Sequence, residues 1–375
     1  MSQRETFLSH CDTASLPPAT LLSCPAVGRA LPSIAADAVR IGRAVPAPRT
    51  ITPPSHATGT PTMRHRLLIQ QGAFAPAFEA RLGELYDARL LPAAGPERDS
   101  VLAAHGAGVE ALATSARFGF DAKTLAALPD LRVISSFGVG LDTLDLEAAK
   151  ARGIPVGYTP DVLNDCVADT AFALLLDVAR RITEADRFVR AGRWHQGQFA
   201  SATKVTGKRL GILGLGRIGS AIAKRASGFD MQVRYHNRRP VQGSPYGYAD
   251  SLTELAAWAD FLVVASAGGA ETRGLVSAEV IAALGPQGYI VNIARGTVID
   301  EAALIDALQH RRLAGAGLDV FEREPHVPDA LMALDNVVLL PHLASNTHET
   351  RADMTRRVED NLAAFFADQP LPSAV

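Results

Sequence analysis

R-L-G-I-L-G-L-G-R-I-G-S-A-I-A-K-R-A-S-G-F-D-M-Q-V-R-Y-H-N-R runs from Arg209 to Arg238, and its reading decides the fold. Leu210, Ile212 and Leu213 form a short apolar run. Gly214, Gly216 and Gly219 follow in G-x-G-x-x-G register, Ser220 to Ala226 reads as a helix, and Met231 to His236 reads as a second strand. A strand, a tight glycine turn and a helix in this order predict a dinucleotide site, because the glycines let backbone and helix N-terminus approach a pyrophosphate. At the end of the second strand, where an acidic side chain would accept the 2′-hydroxyl of NAD, stand Asn237, Arg238 and Arg239. Two guanidiniums there suit a 2′-phosphate, so NADPH is the expected cofactor, with NADH possible; the competing reading is a solvated charged turn.

The remaining chain is consistent with a two-domain protein. Its 375 residues are 47% hydrophobic and 20% charged, enough for two separate cores. A net charge of −2 leaves no basic excess for a nucleic-acid partner. No apolar run reaches membrane length, since Phe172 to Leu176 is bounded by Asp169 and Asp177. Three cysteines make no disulfide framework and point to a reducing, cytoplasmic setting, and nothing in the sequence suggests a metal site.

Residues 1–62 differ from the rest, being rich in Pro, Ala, Ser and Thr without a sustained period. They read as a disordered or over-called extension, with Met63 as the candidate start. Beyond it, Leu67 to Gln70, Ala88 to Leu91, Ser100 to Ala103 and Leu131 to Ser135 read as strands, with helices at Phe74 to Leu85, Asp121 to Leu128 and Leu144 to Ala151. Such alternation predicts a parallel sheet. One amphipathic helix is expected over Val167 to Val189, capped by Asn164 or Asp165, with Val167, Ala171, Leu175, Val178, Ile182, Ala185 and Val189 on one face. Trp194 follows in a loop, where it either anchors a partner subunit or packs within the chain. After further strands at Leu262 to Val264, Tyr289 to Ile293, Leu313 to Leu318 and Val337 to Leu340, a helix from Thr347 to Ala367 returns the chain to the first domain through an Asn346 to Glu349 capping box. The expected division is 63–163 with 347–375 as substrate domain and 164–346 as dinucleotide domain.

Three strand ends in the second half carry one chemically capable side chain each: Arg295, Glu324 and His342. Reduction of a carbonyl beside a carboxylate needs a guanidinium to bind the acid and polarise the ketone, and an acid to protonate the developing alkoxide. An imidazole whose other nitrogen meets a carboxylate has its ring fixed for that task. Singly, each has a bland alternative as ion-pair partner, turn cap or buried histidine. The turn S-F-G-V-G-L-D at Ser136 to Asp142 offers backbone N–H groups at a strand's carboxyl end, as an anion cradle or a plain turn.

Gly211 to Arg225, N-I-A-R-G at Asn292 to Gly296, G-L-D-V-F-E-R-E-P at Gly317 to Pro325 and L-L-P-H-L-A-S-N-T-H-E-T-R at Leu339 to Arg351 occur in order. With S-F-G-V-G-L-D and T-P-D-V-L-N-D-C-V-A-D-T, the chain from Met63 onward resembles the D-isomer-specific 2-hydroxyacid dehydrogenases, and within them the glyoxylate/hydroxypyruvate reductases. The resemblance implies an α/β fold of two doubly wound parallel sheets, a Rossmann-type nucleotide domain inserted in a flavodoxin-like substrate domain. It further implies that Arg295 binds substrate, that His342 donates the proton with Glu324 as its partner, and that the amides of Val139 and Gly140 hold the substrate carboxylate. Its D-x-x-x-x-E-P spacing selects Glu324 over Glu322. Gly214, Leu215, Gly216, Arg217, Ile218 and Gly219 would contact the cofactor, as would Asn237, Arg238, Arg239, Ile293, Ala294 and Asp319. The loop Ser266-Ala-Gly-Gly-Ala270 departs from the family's usual P-L-T type and leaves the contacts there open. The expected protein is a homodimeric NADPH-dependent reductase of glyoxylate and hydroxypyruvate. A reductase of bulkier 2-keto acids and a nucleotide-sensing interaction protein are the alternatives.

Overall fold

A computed structural model of the protein describes residues 64–375. The extension expected over 1–62 and the candidate start at Met63 lie outside the described residues.

Two sheets carry the described chain, and every strand pair in both is parallel. The first contains β1 (Arg66–Gln70), β2 (Asp87–Leu91), β3 (Ala111–Ser115), β4 (Val133–Phe137) and β5 (Val156–Gly157), in the order 2-1-3-4-5. The second contains β6 (Arg209–Leu213), β7 (Gln232–His236), β8 (Gly247–Tyr248), β9 (Phe261–Val264), β10 (Tyr289–Asn292), β11 (Gly315–Leu318) and β12 (Val337–Leu339), in the order 12-11-10-9-6-7-8. Both are doubly wound, as expected. Strand order reverses between β1 and β3 and between β6 and β9, and ligand crevices form at the carboxyl ends beside such reversals.

The helix Asn164–Arg180 buries Val167, Ala171, Leu175 and Val178 beneath β10 and β11. Close approach requires glycine in G-A-G-L: a Cβ on Gly317 would lie 2.9 Å from that of Leu174. Arg225 bonds Asp165 and Asp169 of this helix at 3.0 and 2.7 Å, tying down the helix Arg217–Ala226 that starts in the glycine turn. The helix His348–Phe366 buries Met354, Val358 and Leu362 and packs on β4 of the first sheet.

Four local expectations are corrected. Ser100 to Ala103 is no strand; it lies in the helix Pro96–His105, which has Pro near its start, Glu97 and Asp99 in its first turn and Gly106 at its C-cap. The third strand is instead Ala111–Ser115. The helix expected over 167–189 breaks at Arg181, whose φ is 56°, because Asp177 accepts the Thr183 N–H at 2.8 Å and Arg181 forks onto Glu184. The break turns Ile182 and Val189 outward to 53% and 52% exposure. Neither Asn164 nor Asp165 caps the first helix, which starts from Leu163 without a side-chain cap. In place of the Asn346 to Glu349 box, the Thr347 hydroxyl accepts the Thr350 N–H at 3.2 Å, while Asn346 accepts from Arg351. Among the described residues no helix is long and apolar enough to cross a membrane.

Candidate active site

The chemically capable residues stand on loops at the carboxyl ends of β4, β6, β10, β11 and β12. Arg295 is placed by the buried strand-end residue Asn292, whose side-chain amide donates to the Arg295 carbonyl at 2.9 Å while its oxygen accepts the Ala294 N–H at 3.0 Å. The Arg295 Nη1 donates to the Ala294 carbonyl at 2.8 Å, and its Nε donates to Asp142 at 3.3 Å. Its Nη2 lies where a Cβ on Gly140 would be only 1.7 Å away, so the guanidinium rests directly on the glycine turn after β4. That turn is shaped by Gly138, with φ 125° and its N–H given to Thr159. Among the described residues, the amides of Val139 and Gly140 have no hydrogen-bond acceptor.

His342 and Glu324 form a pair, Nδ1 to Oε2, at 2.7 Å. An ionised carboxylate only accepts, so Nδ1 carries the proton and Nε2 is left for a second partner. The other Glu324 oxygen accepts the Phe321 N–H at 3.1 Å. Burial pushes the Glu324 carboxyl up, but the His342 hydrogen bond and charge, the Phe321 N–H and the nearby Arg295 charge outweigh it, leaving the group below the usual carboxylate range. Glu322 faces away, 3.4 Å from Arg273.

His342 adopts a φ of 53°, a conformation that non-glycine residues avoid without support. The support is Asp319, which is 1% exposed: its carbonyl accepts the His342 N–H, and its carboxylate accepts the amides of Leu343 and Ala344 at 2.7 and 3.0 Å. Burial raises the Asp319 carboxyl, and these two amides only partly offset it.

In the glycine turn, Gly214 has φ 99°, and a Cβ there would lie 2.6 Å from the Ser266 nitrogen at the end of β9. A Cβ on Gly219 would lie 2.1 Å from the Gly214 carbonyl, whereas around Gly216 nothing approaches within 4 Å. Two glycines thus permit close packing, and the third faces open space. Asn237 braces the turn by accepting the Leu215 N–H at 2.7 Å. Arg217 reaches Asp161 at 3.0 Å and the Tyr158 hydroxyl at 3.4 Å, with Ile218 beside it in the helix. Arg238 pairs with Glu271 at 2.9 Å, Arg239 is exposed, and Ile293 and Ala294 are buried behind β10.

Residues 172–344 match the family model described as D-isomer specific 2-hydroxyacid dehydrogenase, NAD binding domain. The hydroxyphenylpyruvate reductase of Plectranthus scutellarioides is 48% identical over 280 residues, 75% of this chain and 90% of the relative. The chain belongs to the D-isomer-specific 2-hydroxyacid dehydrogenase family. Another relative is the glyoxylate/hydroxypyruvate reductase A of Arabidopsis thaliana, 47% identical over the same shares of both chains. Among solved structures, an NADPH-dependent glyoxylate/hydroxypyruvate reductase from Sinorhizobium meliloti, in complex with NADP and malonate, has a TM-score of 0.78 and 41% identity, covering 83% of this chain and 97% of that one.

A 2-hydroxyacid dehydrogenase uses a nicotinamide dinucleotide, and the residues here fit one. Open space over Gly216, the unsatisfied N–H groups of a ten-residue helix start and the buried, unpartnered hydroxyl of Ser266 converge on the crevice between β6 and β9. Sequence reasoning missed what Asp142, Gly268 and Glu271 do. A Cβ on Gly268 would lie 2.5 Å from the Arg295 Cγ, so the departure from P-L-T makes room for that side chain. Its signal was visible as two adjacent glycines, but not its partner.

For this 2-hydroxyacid dehydrogenase, Asp319→Ala strips the buried Ala344 amide and the half-buried Leu343 amide of their acceptor. Each such loss costs about 1–3 kcal/mol, so a urea melt is expected to show a midpoint lowered accordingly. An unchanged midpoint would mean that the His342 turn holds itself.

Proposed function

We propose that this chain reduces small 2-keto acids, glyoxylate to glycolate and hydroxypyruvate to D-glycerate, with NADPH preferred over NADH. The observation that carries the reading is the Arg295 guanidinium lying on Gly140, beside two unused amides, with its charge reaching the Glu324 of the His342 pair. In this reading the Val139 and Gly140 amides and Arg295 bind the substrate carboxylate, and Arg295 polarises the ketone. A reduced nicotinamide dinucleotide held at the Gly214 to Gly219 turn would supply the hydride to the keto carbon. His342 gives its Nε2 proton to the oxygen, and Glu324, holding Nδ1–H, stabilises the imidazolium beforehand and restores the ring's orientation afterwards. The expected cofactor contacts at Gly214 to Gly219, Asn237 to Arg239, Ile293, Ala294 and Asp319 belong to the same reading. So does the division into 63–163 with 347–375 and 164–346, supported by the packing of one crossing helix on β4 and of the other beneath β10 and β11.

The test is loss of reduced-nicotinamide absorbance with purified protein, glyoxylate or hydroxypyruvate, and NADPH or NADH in parallel. Turnover of neither acid, with NADPH still bound, would overturn the substrate class. A second reading, bulkier aryl 2-keto acids, is supported by the name of the Plectranthus relative. Faster turnover of hydroxyphenylpyruvate than of hydroxypyruvate would favour it.

NADPH preference rests on Arg238 and Arg239. Because Arg238 is paired with Glu271 on the surface, a 2′-phosphate must draw it away, which exposed ion pairs allow at little cost. Replacing both arginines by Ala is expected to raise KM for NADPH roughly 10- to 100-fold and to leave that for NADH nearly unchanged. Equal effects on both cofactors would make the pair a solvated turn. We further infer a homodimer in a reducing cytoplasm. Ile182, Val189 and Trp194 are exposed apolar side chains, and Cys166 is a free thiol.

A further inference from the structure

We propose that Asp142 is the positioning residue of Arg295, a resident carboxylate that neutralises and orients the guanidinium while leaving its substrate-facing donors free. The inference deepens the function proposed above and rests on it. Asp142 comes from the turn after β4 in the first sheet, and Arg295 from the turn after β10 in the second, so the pair joins the two halves of the site. The contact is two-pronged: Nε donates to Oδ2 at 3.3 Å, and Nη2 lies 3.2 Å from Oδ1. Both side chains are mostly buried, Arg295 at 26% exposure and Asp142 at 18%. At that depth solvent screens the pair less than it would a surface pair, and a lone guanidinium would be costly.

The donors left over tell what the arrangement is for. Nε is spent on Asp142 and one Nη1 proton on the Ala294 carbonyl. Nη2, the nitrogen pressed on Gly140, faces Asp142 along the Nε edge and meets no other acceptor among the described residues, and the amides of Val139 and Gly140 have none. A planar fork held along one edge cannot rotate about its own bonds, so the remaining edge keeps a fixed direction relative to those amides. Glycine at 140 and at 268 is required by the same placement: a Cβ on Gly140 would come within 3.0 Å of Asp142 Oδ1, and one on Gly268 within 3.3 Å of Oδ2. Carboxylate and guanidinium together fill the space that side chains at both turns would take.

Two opposite effects follow on removing the carboxylate. Arg295 loses its orientation, which lowers turnover. It also loses its resident anion, so an incoming carboxylate meets an uncompensated positive charge and binds at least as well as before. A residue that only held the loop in shape would weaken binding and turnover together.

The experiment compares wild type, Asp142→Ala and Asp142→Asn in steady-state reduction of hydroxypyruvate, with calorimetric titration of oxamate, a non-reducible 2-keto acid analogue, into each NADP-loaded protein. Asp142→Ala is expected to lower kcat roughly 10- to 100-fold with KM unchanged or lower, and to bind oxamate as tightly as wild type or more tightly. Asp142→Asn, which keeps an acceptor for Nε but not the charge, should recover part of kcat while retaining the tighter oxamate binding. Wild-type kcat in Asp142→Ala, or oxamate affinity falling in step with kcat, overturns the proposal. Should wild type turn over no keto acid at all, the functional reading fails on its own, and oxamate binding still decides this one: weaker binding to Asp142→Ala than to wild type counts against it.

Discussion

His342→Gln is expected to lower kcat by about a thousandfold while leaving the dissociation constant of NADPH within about twofold of wild type. Glutamine can keep a hydrogen bond to Glu324 and roughly the volume of the ring, so the Asp319-supported turn, with His342 N–H on the Asp319 carbonyl, stays formed. What it cannot do is deliver a proton from the position of Nε2. General acid catalysis contributes roughly 100- to 10,000-fold, and the proposed donor is oriented by a carboxylate at 2.7 Å, which places the expected loss in the upper part of that range. Stopped-flow kinetics and fluorescence titration of NADPH check the two halves. Near-normal turnover would remove His342 from the proton-donor role, whereas weakened NADPH binding would mean that the turn had collapsed. The wild-type pH profile gives an independent reading: Glu324 is held below the usual carboxylate range, so the pair keeps its charge partner as pH falls and loses it only once Glu324 itself is protonated.

The parts of the molecule legible in the sequence are those whose physical cause is local. Gly214 and Gly219 are required by contacts with Ser266 and with the turn itself, and the motif spacing expresses that requirement. The strands of both sheets are short apolar runs bounded by turns, and most are visible as such. Ser100 to Ala103 misleads because four apolar or small residues suit either a strand or the middle of a helix, and the deciding signals lie outside the run at Pro96 and Gly106. The break at Arg181 was hidden for a related reason. The apolar period continues through it, while the cause is a side chain, Asp177, that captures the Thr183 N–H. In the candidate site, strand ends pointed to Arg295 and to the Glu324 and His342 that pair with each other, but the partner of Arg295 comes from the other sheet. Asp142 and Arg295 are 153 residues apart, and no window of sequence contains both. The same holds for Glu271, which meets Arg238 across 33 residues. Two-residue strands such as β5 and β8 carry too few positions for any period to appear.

Arg295→Gln is expected to reduce kcat/KM for hydroxypyruvate by roughly a thousandfold or more, with both kcat and KM affected. In the proposed function the guanidinium does two things: it holds a carboxylate that is present in the ground state, and it stabilises charge that develops on the ketone oxygen. Loss of the first raises KM, and loss of the second lowers kcat. Arg295→Lys separates them. An ammonium restores the charge but not the fork, and it cannot face Asp142 and substrate along two edges at once. Lysine should therefore recover much of KM and little of kcat. The glutamine variant also leaves Asp142 without its cation in a site where that carboxylate is 18% exposed, so part of its loss comes from an unpaired anion repelling the substrate's own carboxylate. Adding Asp142→Asn to Arg295→Gln removes that repulsion and should lower KM again without restoring kcat. If the double variant binds no better than the single one, the anion is not felt by the substrate, and the two carboxylates do not share one guanidinium.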